Sequence, residues 1–482
     1  MPDVRDQDKG SDFMSAPITR TPKEGGQSCP PNGAKGGLEN TTAISCEVWS
    51  ESPLESIAQT TSGGTPDRKR AEYYGGGIPW VKSGELNDSY IFATEESLSP
   101  EGLKHSSAKL LPAGTLLMAM YGATVGKTAI LKMEAATNQA VCAIFPNAEK
   151  ADADFLRYFL IGERQELLKQ RYGGAQPNIS QNVIRNLPVR YPQLPEQRKI
   201  AGVLGVVQRA MEQQERLLAL TSELKKALLH QLFTSGLRGE PQKQTEIGPV
   251  PESWEVKPLG DYLTEAQYGI SAKGAETGRY AVLRMTNQQQ GKIKGADLQY
   301  VELTPAQFAK FRVERQDILF NRTNSLELVE RTAFFDLEGD FVFASYLIRL
   351  RTDSARLRPS FLNHYFNWDE TQVRLKSIAT RAVSQSNISA TRLRGFPVPV
   401  PSPVEQNEIV ANVDCLDRKL AVHRRKHATL TALFRTLLHQ LMTAQLRVRD
   451  LDVEGLLAQV EREVGNTVLP KLRTPVAEMD RA

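Results

Sequence analysis

Gln176-Pro177-Asn178-Ile179-Ser180 recurs as Gln385-Ser386-Asn387-Ile388-Ser389, and Leu228-Leu229-His230-Gln231-Leu232 recurs as Leu437-Leu438-His439-Gln440-Leu441. Both recurrences stand at an offset of 209, and residues 176–238 align with 385–447 without a gap. Of these 63 positions 23 are identical. Chance would give roughly one in fifteen at ordinary composition, so the chain holds one module written twice. Upstream only landmarks survive: Trp49…Pro53-Leu54 with Trp254…Pro258-Leu259, Leu116-Leu117 with Leu319-Phe320, and Phe155-Leu156 with Phe361-Leu362. The earlier part of each copy has diverged, and the later part has not.

Each copy has two textures. The first part (48–192 and 252–401) has short apolar runs between Gly and Pro turn signals, such as Thr115–Met120, Ala140–Phe145, Asp317–Phe320 and Tyr346–Leu350. Such runs read as strands. Helical segments intervene at Ala153–Tyr172 and Pro359–Ser377, so the fold class is α+β. The second part (195–235 and 404–444) carries a seven-residue period. Its expected seam in the first copy is Ile200, Val203, Val207, Ala210, Gln214, Leu217, Thr221, Leu224 and Leu228. In the second it is Ile409, Leu416, Leu430, Leu433 and Leu437, with polar Asn412, Lys419, His423 and Lys426. Pro195-Glu196-Gln197 and Pro403-Val404-Glu405-Gln406 supply the proline and acid that a helix N-terminus favours. Two long helices, each with an unpaired seam, are expected to pair as an antiparallel coiled coil. The polar stretch at 419–426 either weakens that pairing or marks a docking surface.

The expected organisation is a disordered extension (1–47, where an upstream start codon is an equal reading), a first domain (48–192), its helix (193–238), a linker (239–251), a second domain (252–401), its helix (402–447) and a tail (448–482). Hydrophobic residues make up 40% and charged residues 24%, an ordinary globular balance, and the net charge is only +4. That charge is compatible with nucleic acid and does not single it out. Cys29, Cys46, Cys142 and Cys415 show neither metal-ligand nor redox spacing. The most apolar stretch, Leu110–Met133, is broken by Pro112, glycines and Lys127, so no membrane span is expected. No signal peptide is recognised either, and a reduced cytoplasm is the expected location.

Two copies of a module commonly pack about a pseudo-two-fold axis, and a two-fold reader suits DNA half-sites at a set separation. Divergent domains on a common helical frame would read two different half-sites. The motifs point the same way. Gly63-Gly64-Thr65-Pro66, Ile78-Pro79-Trp80-Val81, Ser83-Gly84-Glu85-Leu86, Thr137-Asn138-Gln139-Ala140 and Gln176…Asn178-Ile179-Ser180 with Pro195-Glu196-Gln197 resemble the specificity subunits of type I restriction–modification systems. The second copy resembles them through Tyr268-Gly269-Ile270, Leu283-Arg284, Gly291-Lys292-Ile293, Asp317–Arg322, Asn324-Ser325 and Asn387-Ile388-Ser389 with Glu405-Gln406. The resemblance covers about 48–446. It implies two target-recognition domains in tandem, each followed by a spacer helix. It also implies a bipartite, asymmetric double-stranded DNA target, two docked modification subunits and a restriction subunit as a further partner. Adenine-N6 methylation with S-adenosylmethionine, and ATP- and Mg-dependent cleavage, would then belong to the partners. This chain would carry no cofactor, no metal and no catalytic residue.

A search for chemistry agrees with that expectation. Gly122-Ala-Thr-Val-Gly126-Lys127-Thr128 is one residue short of a phosphate loop. The sole Pro-Pro, Pro30-Pro31, lacks the flanks that hold a flipped adenine. His423 and His427 are four apart, but the Arg-Arg-Lys between them favours a solvated or partner-facing stripe. Affinity for DNA comes from Lys and Arg to phosphate, and sequence from Arg, Asn, Gln and Lys to base edges. The candidate DNA contacts on inter-strand loops are Arg68, Lys69, Arg70, Lys82, Lys127, Arg171 and Gln176 in the first domain. In the second they are Lys273, Arg284, Asn287, Gln288, Arg322, Asn324 and Arg381. Asn178 and Asn387 read as turn or capping residues. Two rivals stand: a coiled-coil scaffold that binds no DNA, and a self-contained methyltransferase or nuclease.

Overall fold

Two helices, Leu194–Ser235 and Pro403–Met442, form the axis of the protein. At 1.5 Å per residue each is about 60 Å long. The computed structural model describes residues 49–169, 178–324, 331–381 and 386–448, so the expected N-terminal extension and all but Val448 of the expected tail lie outside the described residues. Gln214 contacts His423, Glu215 contacts His427, and Lys225 contacts Asp417. From Gln214–His423 to Lys225–Asp417 one number rises as its partner falls, so the helices run antiparallel. Gln214 and His423 are also equivalents at the 209-residue offset, and they touch each other at 2.8 Å. A residue that meets its own equivalent lies on the pseudo-two-fold axis.

The helix seam corrects half of the sequence-based register. Buried and half-buried residues fall at Ile200, Leu204, Val207, Met211, Gln214, Leu218, Thr221, Lys225, Leu228 and Leu232. Their equivalents are Ile409, Val413, Leu416, Leu420, His423, His427, Leu430, Phe434, Leu437 and Leu441. The spacing alternates four and three, as a coiled-coil seam requires. Every second expected position was one residue early. Asn412 and Lys419 are exposed beside the seam, Lys426 is half-buried, and Leu224 and Leu433 are 57% and 38% exposed. Val203 and Ala210 are buried, but one residue off the seam that meets the partner helix.

The two domains share one topology. The larger sheet of the first runs Ala58–Ser62, Val141–Pro146, Leu116–Ala119, Thr128–Leu131, Tyr90–Ile91. That of the second runs Leu263–Tyr268, Leu347–Thr352, Ile318–Asn321, Thr332–Phe334, Lys292–Ile293, with Gln288–Gln289 added at the edge. A three-stranded sheet also matches, Glu96–Leu98, Tyr74–Val81, Ala136–Thr137 against Gln299–Val301, Tyr280–Leu283, Phe341–Phe343. The faint landmarks have a structural reason. Ser50–Pro53 pairs antiparallel with Pro188–Tyr191, and Glu255–Pro258 with Pro397–Val400, so each domain's first strand is stapled to the strand that feeds its helix.

Each helix starts on one domain and ends in the core of the other. Leu437, Leu438, Leu441 and Val448 lie in the first core with Phe155, Leu156 and Leu204. Leu229, Leu232 and Phe233 lie in the second core with Trp254, Phe361 and Ile409. Fully burying one such side chain is worth about 1.5–3 kcal/mol, so these ends are firmly seated. The departure points are clamped alike. Gln197 Nε2 donates to Lys150 O and Pro192 O, and its Oε1 accepts from Asp152 N, all at 2.9 Å. Gln406 Nε2 donates to Arg356 O and Pro401 O, and its Oε1 accepts from Arg358 N, at 2.8, 2.9 and 2.7 Å. Residues near the two limits of the described chain also meet, for Arg447 pairs with Glu196 at 3.2 Å and lies over the Trp49 ring.

Two local expectations change. The segment 359–377 is two helices, Pro359–Phe366 and Asp369–Ser377. Trp368 at the break turns inward against Phe233, with ring centroids 5.4 Å apart, and Asn367 bonds back to Asn363 O. The segment 239–251 holds a hairpin, Gln242–Thr245 with Gly248–Pro251.

Candidate nucleic-acid interface

Three motif stretches of the first domain converge at one end of its sheets. Gly63 and Gly64 leave strand Ala58–Ser62 so close to their neighbours that a Cβ on Gly63 would lie 2.1 Å from Thr137 O, and one on Gly64 2.4 Å from Ala108 N. Only glycine fits there. Gly64 N then donates to Thr137 O at 2.9 Å, and Trp80 Nε1 donates to Gly64 O at 3.2 Å. Tyr74 Oη donates to Pro66 O at 2.7 Å. This packing brings the Thr65 hydroxyl onto Gln139 Oε1, where it donates. Tyr121, at the end of a third strand, lies beside Gln139, and its backbone bridges to Asn178. Burial raises the Tyr121 pKa, and the neighbouring Gln139 amide opposes that rise.

The second domain repeats the scaffold with other side chains. Ile270 N donates to Phe343 O at 2.8 Å, as Gly64 N does to Thr137 O. A Cβ on Gly269 would lie 2.2 Å from Phe343 O. Arg322 lies over the Tyr268 ring at 4.6 Å, and its Nε donates to Asn387 Oδ1 at 3.4 Å. Lys273, Arg284, Gln299, Ser345 and Tyr346 line a cleft of about 400 Å³ beside it.

The sequence-based candidates divide by these surroundings. Lys69 and Lys273 are exposed, Lys127 is half-buried, and none has an ion pair among the described residues. Arg68 stacks on Tyr74 and Trp80, and Glu96 at 2.6 Å raises its pKa. Arg70 lies 3.5 Å from Glu72. Lys82 is held by Glu95 at 2.8 Å and Glu96 at 3.0 Å, which raise its pKa and occupy its charge. Arg284 is tied to Asp297 at 3.1 Å.

Asn287 and Gln288 are corrections. They are 1% and 4% exposed. The Asn287 amide donates to Lys294 O and Ala296 O and accepts from Arg284 N, and that of Gln288 donates to Leu319 O. They hold a loop, because an amide in a tight turn satisfies backbone groups that water cannot reach. Arg171 and Gln176 lie outside the described residues. For Asn324 and Arg381 only the backbone is described, in paired strand positions. Thr65, Tyr121, Gln139, Tyr268, Ser345 and Tyr346 escaped the choice of candidates. Several of them stood in the quoted motifs, which was the available signal.

The Gly122–Thr128 loop offers no phosphate cradle. The N–H groups of Val125, Gly126 and Lys127 are spent on Gly122 O, Ala119 O and Thr124 O. One group with metal-ligand chemistry occurs among the described residues, His364, Asp414 and Asp417. It sits where the second domain meets its helix. His364 bonds Asp414 at 3.0 Å and Lys225 pairs with Asp417 at 2.6 Å, so its charges are met by protein. His364 holds the Asp414 carboxyl below its usual range. In the first repeat the same junction is made by Arg157 and Tyr158, which donate to Gln208 at 2.9 and 3.0 Å.

The comparisons agree with this architecture. The family model for the type I restriction modification DNA specificity domain matches residues 47–221 and again 251–432. The MjaIX specificity subunit of Methanocaldococcus jannaschii is 30% identical over 228 residues, 45% of this chain and 51% of that protein. The putative MjaX subunit of the same organism is 30% identical over 42% of this chain and 48% of its own length. The match therefore spans about half of either relative. A longer match, 21% identical over 77% of this chain and 82% of the relative, is to the StySPI specificity subunit of Salmonella potsdam. The crystal structure of a type I S subunit from M. genitalium superposes with a TM-score of 0.56 at 16% identity, covering 84% of this chain and 98% of that one, which shows the shared fold. By the double match of the family model, over both repeats, this chain belongs to the DNA-specificity family of type I restriction–modification systems.

Proposed function

We propose that this chain reads a bipartite, asymmetric target in double-stranded DNA, one half-site per domain, for a type I restriction–modification complex. The observation that carries this reading is the pair of polar clusters. They occupy the same place on two copies of one scaffold, and beyond the shared Asn178 and Asn387 their side chains differ: Thr65, Tyr121 and Gln139 in the first, Tyr268, Arg322 and Ser345 in the second. Equal scaffolds on a pseudo-two-fold frame suit the local two-fold geometry of a duplex, and unequal side chains suit unequal half-sites. Basic groups nearby, Lys69, Lys127 and Lys273, would supply phosphate contacts.

Two modification subunits would dock on the helices. Leu224 and Leu433 are equivalents at the 209-residue offset and both are exposed, which suits two copies of one partner. Methyl transfer and cleavage, with S-adenosylmethionine, ATP and Mg, would reside in the partners, and a restriction subunit would join them. The location consistent with such a role is the cytoplasm, and no described helix is long and apolar enough to cross a membrane.

The test is the adenine-methylation pattern of a methylation-free host carrying this chain with its neighbouring modification subunit. A split motif that vanishes without this chain is the expected result. Exchange of residues 48–192 for another member's first domain should replace one half-site and spare the other. If both halves change, one domain does not read one half-site.

A further inference from the structure

The Gln139 side chain is anchored at one end and flanked at the other. Its Oε1 accepts from the Thr65 hydroxyl, and Tyr121 lies beside it. The loop beneath it is fixed by backbone bonds to three strands: Asn138 N to Val81 O at 3.0 Å, Val141 N to Asn138 O at 3.2 Å, and Met120 N to Ala140 O at 2.7 Å. Gln139 itself is exposed. A primary amide has two acceptor lone pairs and two donor hydrogens. Thr65 uses one lone pair. An acceptor and the N–H donors remain, side by side, on an exposed side chain whose carbonyl end is anchored. Adenine presents their complement in the major groove, an N6 donor beside an N7 acceptor.

We infer that Gln139 is a specificity-determining residue that reads an adenine in the first half-site, with Thr65 and Tyr121 as positioning residues that set its amide plane. This rests on the proposed reading of the chain as a DNA-specificity subunit. Preorganisation matters because a free glutamine would have to lose rotamer freedom on binding, which erodes discrimination. The second domain has no equivalent amide. Ala344 N donates to Leu283 O as Asn138 N does to Val81 O, which places Ser345 where the first domain has Gln139. This contact is thus confined to the first domain.

The experiment uses the complex of the full chain with its modification subunit. Duplexes carrying each single base-pair change across the target compete for binding to wild type, Gln139→Ala, Gln139→Glu and Thr65→Val. In Gln139→Ala, discrimination should fall about 5- to 150-fold at one A·T pair of the first half-site, the range for a lost bidentate contact. Gln139→Glu presents acceptors alone and should move the preference at that pair toward cytosine, whose N4 donates. Thr65→Val should weaken the adenine preference by a smaller factor without changing the preferred base. The second half-site should be unchanged throughout, and melting temperatures should match wild type because Gln139 is exposed. The inference is overturned if both Gln139 variants keep every preference of the first half-site, or if the pair that relaxes is G·C. A wild-type complex with no split target would instead remove the functional reading, and this inference with it.

Discussion

Replacing Gln406 by alanine should uncouple the second domain from its helix. The side chain is wholly buried and makes three bonds, to Arg356 O, Pro401 O and Arg358 N. Truncation strands two carbonyls and one N–H where water reaches them poorly. Each stranded group costs about 1–3 kcal/mol, so about 3 kcal/mol is lost at the lower end. For a unit of roughly 150–250 residues, 1 kcal/mol moves the melting temperature about 2–4 °C, which gives a fall of about 6–12 °C. Scanning calorimetry reads that fall, and amide hydrogen exchange locates it. Exchange should quicken around residues 353–358 and 401–406 and stay unchanged at the first domain's junction. Gln197→Ala should mirror the result at 150–152 and 192–197, since its three bonds are the same. A fall below about 2 °C in both variants, with exchange unaltered, would refute the clamp.

Three further outcomes can be checked. Burial first, then Lys419 and Lys426, hold the His423 pKa below its ordinary value, so the unfolded state takes up the proton first as pH falls. The stability that neutral His423 contributes is present above about pH 6.5 and is lost on acidification. Melting temperatures at about pH 7.5 and 5.5 should therefore differ less in His423→Gln than in wild type. Asn287→Ala should destabilise the second domain by about 2 kcal/mol in denaturant titrations while leaving the salt dependence of DNA binding as in wild type, because the side chain serves Lys294 O and Ala296 O rather than phosphate. Leu224→Glu combined with Leu433→Glu should lower the number of modification subunits per chain, read by native mass spectrometry, with no change in melting temperature; an unaltered stoichiometry would place the docking surface elsewhere.

The duplication, the α+β domains and the antiparallel helices were legible because repeats and seven-residue periods survive in one sequence. The seam register was legible only at alternate positions. Ile409, Leu416, Leu430 and Leu437 were unambiguous, but between them Lys419 and Leu420, or Leu433 and Phe434, compete for one slot. Only the partner helix decides between three- and four-residue spacing. The break at Trp368 left no proline or glycine to read, since a tertiary contact with Phe233 makes it. The site was hardest. Asn287 and Gln139 are both loop amides, and sequence does not tell one whose bonds all turn inward from one with bonds left over. That difference is set by strands far apart in the chain, and it exists only after folding.

The contact between Gln214 and His423 has an evolutionary meaning. In a symmetric homodimer, the residue on the axis must be compatible with itself. Here the axis holds an amide and an imidazole, joined by one directional hydrogen bond at 2.8 Å. Covalent fusion has lifted the requirement of self-compatibility, so mutations at the centre of the frame need satisfy only one heterologous pair. The same release extends outward to the two reading surfaces. Each can drift to a new sequence preference without obliging its twin to follow, so the number of targets open to such a chain grows as the product of what its two halves can read.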